Sequence, residues 1–167
     1  MSRAAALAAA MALALAIGAH AAPKQPPRYL DAVRQELARL GVDATCEADA
    51  GVCSFRRHLP GLGTDLDATV ACSDQTNTVY VAIPRFIALA QEEGPPVALA
   101  HRLLDLNRRL VTSKLEWDPL SRSIRLTTVL STDSSFDRRA FRSQVLALFA
   151  AAERLLPELE VLAAARE

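Results

Sequence analysis

The sequence predicts an α+β domain, a mostly antiparallel sheet with helices packed against it, in the order α-ββββ-α-ββ-α. Three observations lead there. Apolar residues recur at helical spacing in three separate stretches, and between those stretches they alternate at strand spacing. Neighbouring alternating segments are joined by short turn sequences, which suit antiparallel pairs, whereas parallel strands need long crossovers.

The first helix rests on Tyr29, Leu30, Val33, Leu37 and Leu40, with Gly41 where a helix-terminating glycine belongs. Residues 43–57 read as a hairpin turning through Ala48-Asp49-Ala50-Gly51. The segment from Leu59 to Asp65 reads as a loop. Its G-x-G reverses the chain; no buried strand and following helix frame it as a nucleotide cradle. From Leu66 the alternation is clean, with Leu66, Ala68, Val70 and Cys72 on one face. Asp74-Gln75-Thr76-Asn77 turns the chain, Val79, Val81 and Ile83 line the returning strand, and Pro84 is expected to end it.

Gly94-Pro95-Pro96 opens the second helix, whose inner face is expected to be Ala100, Leu103, Leu104, Asn107 and Val111. Leu115 and Trp117 begin a second hairpin that turns at Asp118-Pro119-Leu120-Ser121 and returns along Ile124, Leu126, Thr128 and Leu130. The loop Ser131 to Ser135 offers N-caps for a last helix burying Phe141, Val145, Leu148, Phe149, Ala152 and Leu156. Pro157 is expected to break that helix, leaving Glu158–Glu167 as a short separate piece.

Ahead of the domain, Met1-Ser2-Arg3 is a short positive stretch, Ala4 to Gly18 is uncharged, and Ala19-His20-Ala21 has the small residues a signal peptidase needs. Residues 1–21 therefore read as a signal peptide, 22–27 as a Pro-rich linker and 28–167 as a single domain. The alanine-rich run closing on His20 is a poor bilayer span, and no cysteine stands at the cleavage point for lipid attachment. The expected location is periplasmic or secreted, with no membrane association after cleavage. Without its first 21 residues the chain has 18 Lys and Arg against 19 Asp and Glu. That balance lacks the basic excess of a nucleic-acid binder.

In an oxidising compartment Cys46, Cys53 and Cys72 are read first as disulfide partners. A turn centred on Asp49-Ala50 places Cys46 opposite Cys53 and leaves Cys72 as a buried free thiol. A turn shifted one residue toward Gly51 would favour Cys72 as a partner instead.

Leu104-Asp105-Leu106-Asn107-Arg108-Arg109-Leu110 closes a helix and runs into Lys114-Leu115-Glu116-Trp117-Asp118. Ile124-Arg125-Leu126-Thr127-Thr128 follows, then a helix closing on Leu155-Leu156-Pro157-Glu158-Leu159. This pattern resembles the YbjN family, whose fold is similar to that of the type III secretion chaperones. The resemblance implies an α+β module, often dimeric, that binds other proteins and has no known catalysis.

The residues themselves offer no catalytic set and no metal or cofactor site. His58 and His101, the histidines left after cleavage, stand far apart in sequence, and no C-x-x-C or His/Cys cluster is present. Asn107 falls on an apolar helix face, where an amide tying the helix to the next strand is favoured over a ligand contact. Arg108, Arg109 and Lys114, near Arg102, collect at the helix end that favours cations. With Trp117 they make a candidate ligand or partner surface. Two functions are weighed. One is an exported, non-catalytic protein-binding module, chaperone-like or an adaptor, whose partner is another protein or a second copy in a homodimer. The alternative is a periplasmic small-molecule or anion-binding sensor or regulatory protein.

Overall fold

The computed structural model describes residues 25–89 and 94–165. The expected signal peptide and the start of the linker lie outside them. Three helices, α1 (Leu30–Arg39), α2 (Val97–Arg109) and α3 (Arg138–Ala164), accompany six strands. The strands are β1 (Ala44–Glu47), β2 (Val52–Leu59), β3 (Thr64–Ser73), β4 (Thr78–Ala88), β5 (Ser113–Asp118) and β6 (Ser123–Ser131). They form one antiparallel sheet in the order β1-β2-β3-β4-β6-β5, so the α+β expectation and its element order hold.

Alternation decides which face is which. Cys53 and Phe55 on β2, Val70 on β3, Val79 and Val81 on β4, and Ile124 and Leu126 on β6 are all buried on one face. The helices cover that face: α3 packs on β4 and β6, α1 on β1, β2 and α3, and α2 on β5 and α3. Phe141, Val145 and Leu148 of α3 are fully buried there and close the core. The opposite face carries cross-strand ion pairs, Arg56 to Asp67 at 2.7 Å and Arg125 to Glu116 at 2.8 Å, as suits a sheet with one wet side.

Five expectations are corrected. The strands flanking the first long loop extend further than alternation suggests, leaving 60–63 as the reversal. Pro84 does not end β4. The β4–β6 register shifts between Ile83 and Ile87, a bulge that accommodates a residue with no N–H, and pairing resumes at Ile87↔Ile124. The Ser123 hydroxyl donates to the Pro84 carbonyl at 3.1 Å and steadies the bulge. The N-cap of α3 is Asp137, whose carboxylate accepts from the amides of Arg139 and Ala140 at 2.9 Å, and not a residue of Ser131–Ser135.

Nor does Pro157 break α3, which runs 27 residues with the proline inside it. Leu155, Leu156 and Leu159 on either side are buried, while Pro157 itself is exposed. Burial on both sides outweighs the one lost backbone hydrogen bond, and the proline ring lies toward solvent.

The second helix is rotated relative to expectation. Its buried residues are Leu99, Leu103 and Leu106, while Leu104 is 70% exposed and Val111, just past the helix end, 93%. The segment is apolar on two flanks, and periodicity alone does not choose between them. Among the described residues no helix is long and apolar enough to cross a membrane.

Candidate protein-binding surface

The end of α2 is fastened to β5 by one side chain. Asn107 donates from Nδ2 to the Leu115 carbonyl and accepts at Oδ1 from the Leu115 amide, both at 2.8 Å. A primary amide offers one donor group and one acceptor, so it reproduces the pairing of a neighbouring strand and fixes where β5 starts. Asn107 is half-buried, and its role here is to join helix and strand.

Lys114 caps the helix. Its Nζ donates to the carbonyls of Asn107 at 2.9 Å and Leu110 at 2.8 Å, where the helix leaves acceptors unpaired. Arg108 and Arg109 both meet Asp105, at 3.2 and 2.9 Å, and Arg102 joins Asp105 at 3.0 Å and Glu158 of α3 at 2.7 Å. Partial burial works to raise the Asp105 pKa, but the guanidiniums of Arg109 and Arg108 hold the carboxyl below its usual value. The hydrogen bond to Glu158 raises the already high pKa of Arg102. The cations Arg108, Arg109 and Lys114 are thus engaged by the chain's own carboxylates and carbonyls. Trp117 is half-buried on the inner face of β5, packed against the core.

What the rotation of α2 places outside is apolar. Val97 (57% exposed) and Leu104 (70%) stand seven residues apart on one flank, and Val111 (93%) is exposed just beyond the helix end. Single exposed apolar residues are ordinary; two on one flank of α2, with a third exposed just past its end, are a candidate contact surface. The sequence reading missed it by assigning Leu104 and Val111 to the core. The signal that could have found it was the seven-residue spacing, which competes with the 99/103/106 set.

Cys46 and Cys53 lie directly opposite each other across the β1–β2 hairpin and are joined by a disulfide, S–S 2.03 Å. Cys72 is free and buried, its thiol pushed up to about 11, by burial first and then by the charge of Asp74. A thiol so rarely ionised at neutral pH is a poor nucleophile. His58 pairs with Asp65 at 2.7 Å on the outer face, so the sheet itself separates that histidine from Cys72. His101 is exposed on α2. Among the described residues no group of His, Cys, Asp and Glu is arranged to hold a metal ion.

Helices on one face of a six-stranded antiparallel sheet, in this element order, define the class: a fold of the kind seen in secretion chaperones. Solved structures of similar fold include three. The ExsC–ExsE complex matches with a TM-score of 0.56 and 12% identity, over 82% of this chain and 95% of that one. The HopA1–SchA chaperone–effector complex matches with a TM-score of 0.51 and 12% identity, over 75% and 91%. YbjN from E. coli matches with a TM-score of 0.57 and 20% identity, over 79% and 91%. At these identities the likeness is one of fold. No protein-family model matches the chain, and no curated protein does.

Proposed function

We propose that this chain is an exported, non-catalytic protein-binding module, chaperone-like or adaptor in role, working in the periplasm or outside the cell. The observation that carries the reading is the exposure of the apolar residues Val97 and Leu104 on one flank of α2 and of Val111 just past its end. Neighbours of the same fold in complex with other proteins support it. The export part rests on the run from Met1 to Ala21.

The experiment is a crosslinked pull-down from the periplasm of the native host, comparing the wild-type chain with Leu104→Asp. Leu104 is exposed, so the variant keeps the wild-type melting temperature while losing its captured partner, or its dimer if the partner is a second copy. Protein recovered from the same fraction begins Ala22-Pro23-Lys24. Capture undiminished by Leu104→Asp overturns the assignment of the surface, and a chain that retains Met1 overturns export.

A further inference from the structure

Three arginines meet one carboxylate where α1 packs on α3. Glu36 of α1 is fully buried, and Arg39 of the same helix reaches its Oε1 at 2.7 Å. Arg138 of α3 reaches that oxygen at 2.9 Å, and Arg142, one turn further on, holds Oε2. Because all three end on a single carboxyl group, their guanidiniums are held side by side.

The charges there do not balance. Three cations face one anion, and none of the three has another carboxylate as ion-pair partner among the described residues. The nearest carboxylates in sequence are spent elsewhere: Asp31 pairs with Arg34 at 2.9 Å, and Asp137 caps α3. The whole sequence has a formal net charge of zero, so the surplus of two positive charges is local. Burial works to raise the Glu36 pKa, but the hydrogen bonds from Arg138 and Arg142 hold it below its usual value. Glu36 is therefore ionised at neutral pH and offsets one charge of the three.

The hydrogen bonds point the same way. Each guanidinium spends only Nη1 on the chain: Arg39 and Arg142 on Glu36, Arg138 on Glu36 and on Gln35 Oε1 at 3.1 Å. A guanidinium carries five N–H bonds, so Nε and Nη2 of all three are left without a protein acceptor among the described residues. The side chains are 61%, 44% and 33% exposed, so those N–H groups face water, with Glu36 on the protein side of them. A guanidinium fork takes two oxygens of one oxyanion in parallel. A carboxylate would bring one charge and two oxygens. A phosphate group brings about two charges at neutral pH and three acceptor oxygens, which matches the surplus and the number of forks.

We infer that Arg39, Arg138 and Arg142 form a binding site for a phosphate group on the solvent side of Glu36. The site lies away from the flank of α2 and does not depend on the protein-binding reading. Dissolved phosphate and the phosphate of a lipid headgroup offer it the same chemistry.

Isothermal titration of the full chain with inorganic phosphate, against sodium chloride of equal ionic strength, is the test. Phosphate binds saturably and chloride does not. Arg39→Gln removes one fork and weakens phosphate binding by about tenfold, the order of one charge-assisted hydrogen bond. Arg39 is exposed at the end of α1 and its loss leaves two arginines on Glu36, so the variant stays folded; titration below its melting temperature reads affinity apart from stability. Arg34→Gln, an exposed arginine of the same helix held by Asp31, leaves the affinity at the wild-type value. Vesicles of phosphatidylcholine with phosphatidic acid separate the two sources. Retention of the wild-type chain that Arg39→Gln abolishes assigns the site to a lipid phosphate, and no retention assigns it to dissolved phosphate. Absence of saturable phosphate binding, equal binding of chloride, or equal losses from Arg39→Gln and Arg34→Gln overturns the inference.

Discussion

Glu36 looks in sequence like any charged position on a surface helix, four residues before Leu40 and three before Arg39. In the structure its carboxylate is fully buried at the contact of α1 with α3, taking Arg39 at 2.7 Å, Arg138 at 2.9 Å and Arg142. Burial alone would raise its pKa, but hydrogen bonds from Arg138 and Arg142, with the charge of Arg39, hold it below its usual value. A carboxyl depressed on folding stabilises the protein above its unfolded-state pKa, and that contribution fades as pH falls through the folded-state value. Glu36→Gln should cost about 2–3 kcal/mol at pH 7, less than the ~3–5 of a wholly buried pair because the arginines remain partly in water. Urea denaturation at pH 7 and pH 3 checks it: the gap between variant and wild type narrows in acid, and an unchanged gap would rule out the ionised carboxylate as its source. Asn107→Ala removes both hydrogen bonds to Leu115 and should cost ~1–3 kcal/mol while leaving partner capture intact. The two residues differ in how far they could be read. Asn107 announces itself as a polar residue in an apolar helical pattern whose partner lies eight positions on. The partners that bury Glu36 lie more than a hundred residues away, and nothing local marks them.

At the scale of elements, strands with one buried face are legible because burial repeats every second residue, and turns because Gly, Asn and Asp serve them. The Cys46↔Cys53 register follows from a four-residue connection, Ala48–Gly51, where Gly51 has a φ of +67°. What local pattern does not contain is tolerance of a rule-breaking residue. Pro84 and Pro157 both read as terminators, yet each is carried through by packing on both sides of it: a bulge against β6 in one case, buried leucines in the other. Pro157→Ala should therefore raise stability by about 1–2 kcal/mol. Restoring a helical N–H and a free φ is worth up to ~3, offset in part by the added freedom of the unfolded chain. A urea midpoint equal to or below wild type would mean that the helix stops at the proline. The phase of α2 was illegible for another reason. Two apolar stripes on one helix present the same pattern whichever faces the sheet, and only the fit of Leu99, Leu103 and Leu106 against β5 and α3 separates core from contact surface.

At the scale of the whole molecule, the antiparallel α+β architecture follows from hairpins that carry their own turn signals. The β4–β6 pairing does not, since α2 and β5 intervene between them and the link is tertiary. That same pairing places the last helix of the chain over the middle of the sheet. A ribosome delivers α1 and the four-strand meander first, and at that stage the apolar face of β4 has neither β6 beside it nor α3 above it. Phe141, Val145, Leu148 and Leu159, all fully buried in the folded protein, arrive only after all six strands have been made. The core therefore has no partial version that pays its ordering entropy early. A nascent chain still lacking α3 stays an unfolded polymer with its apolar strands open to chaperones, translocases or aggregation. Completion of α3 is the event that commits the domain to fold.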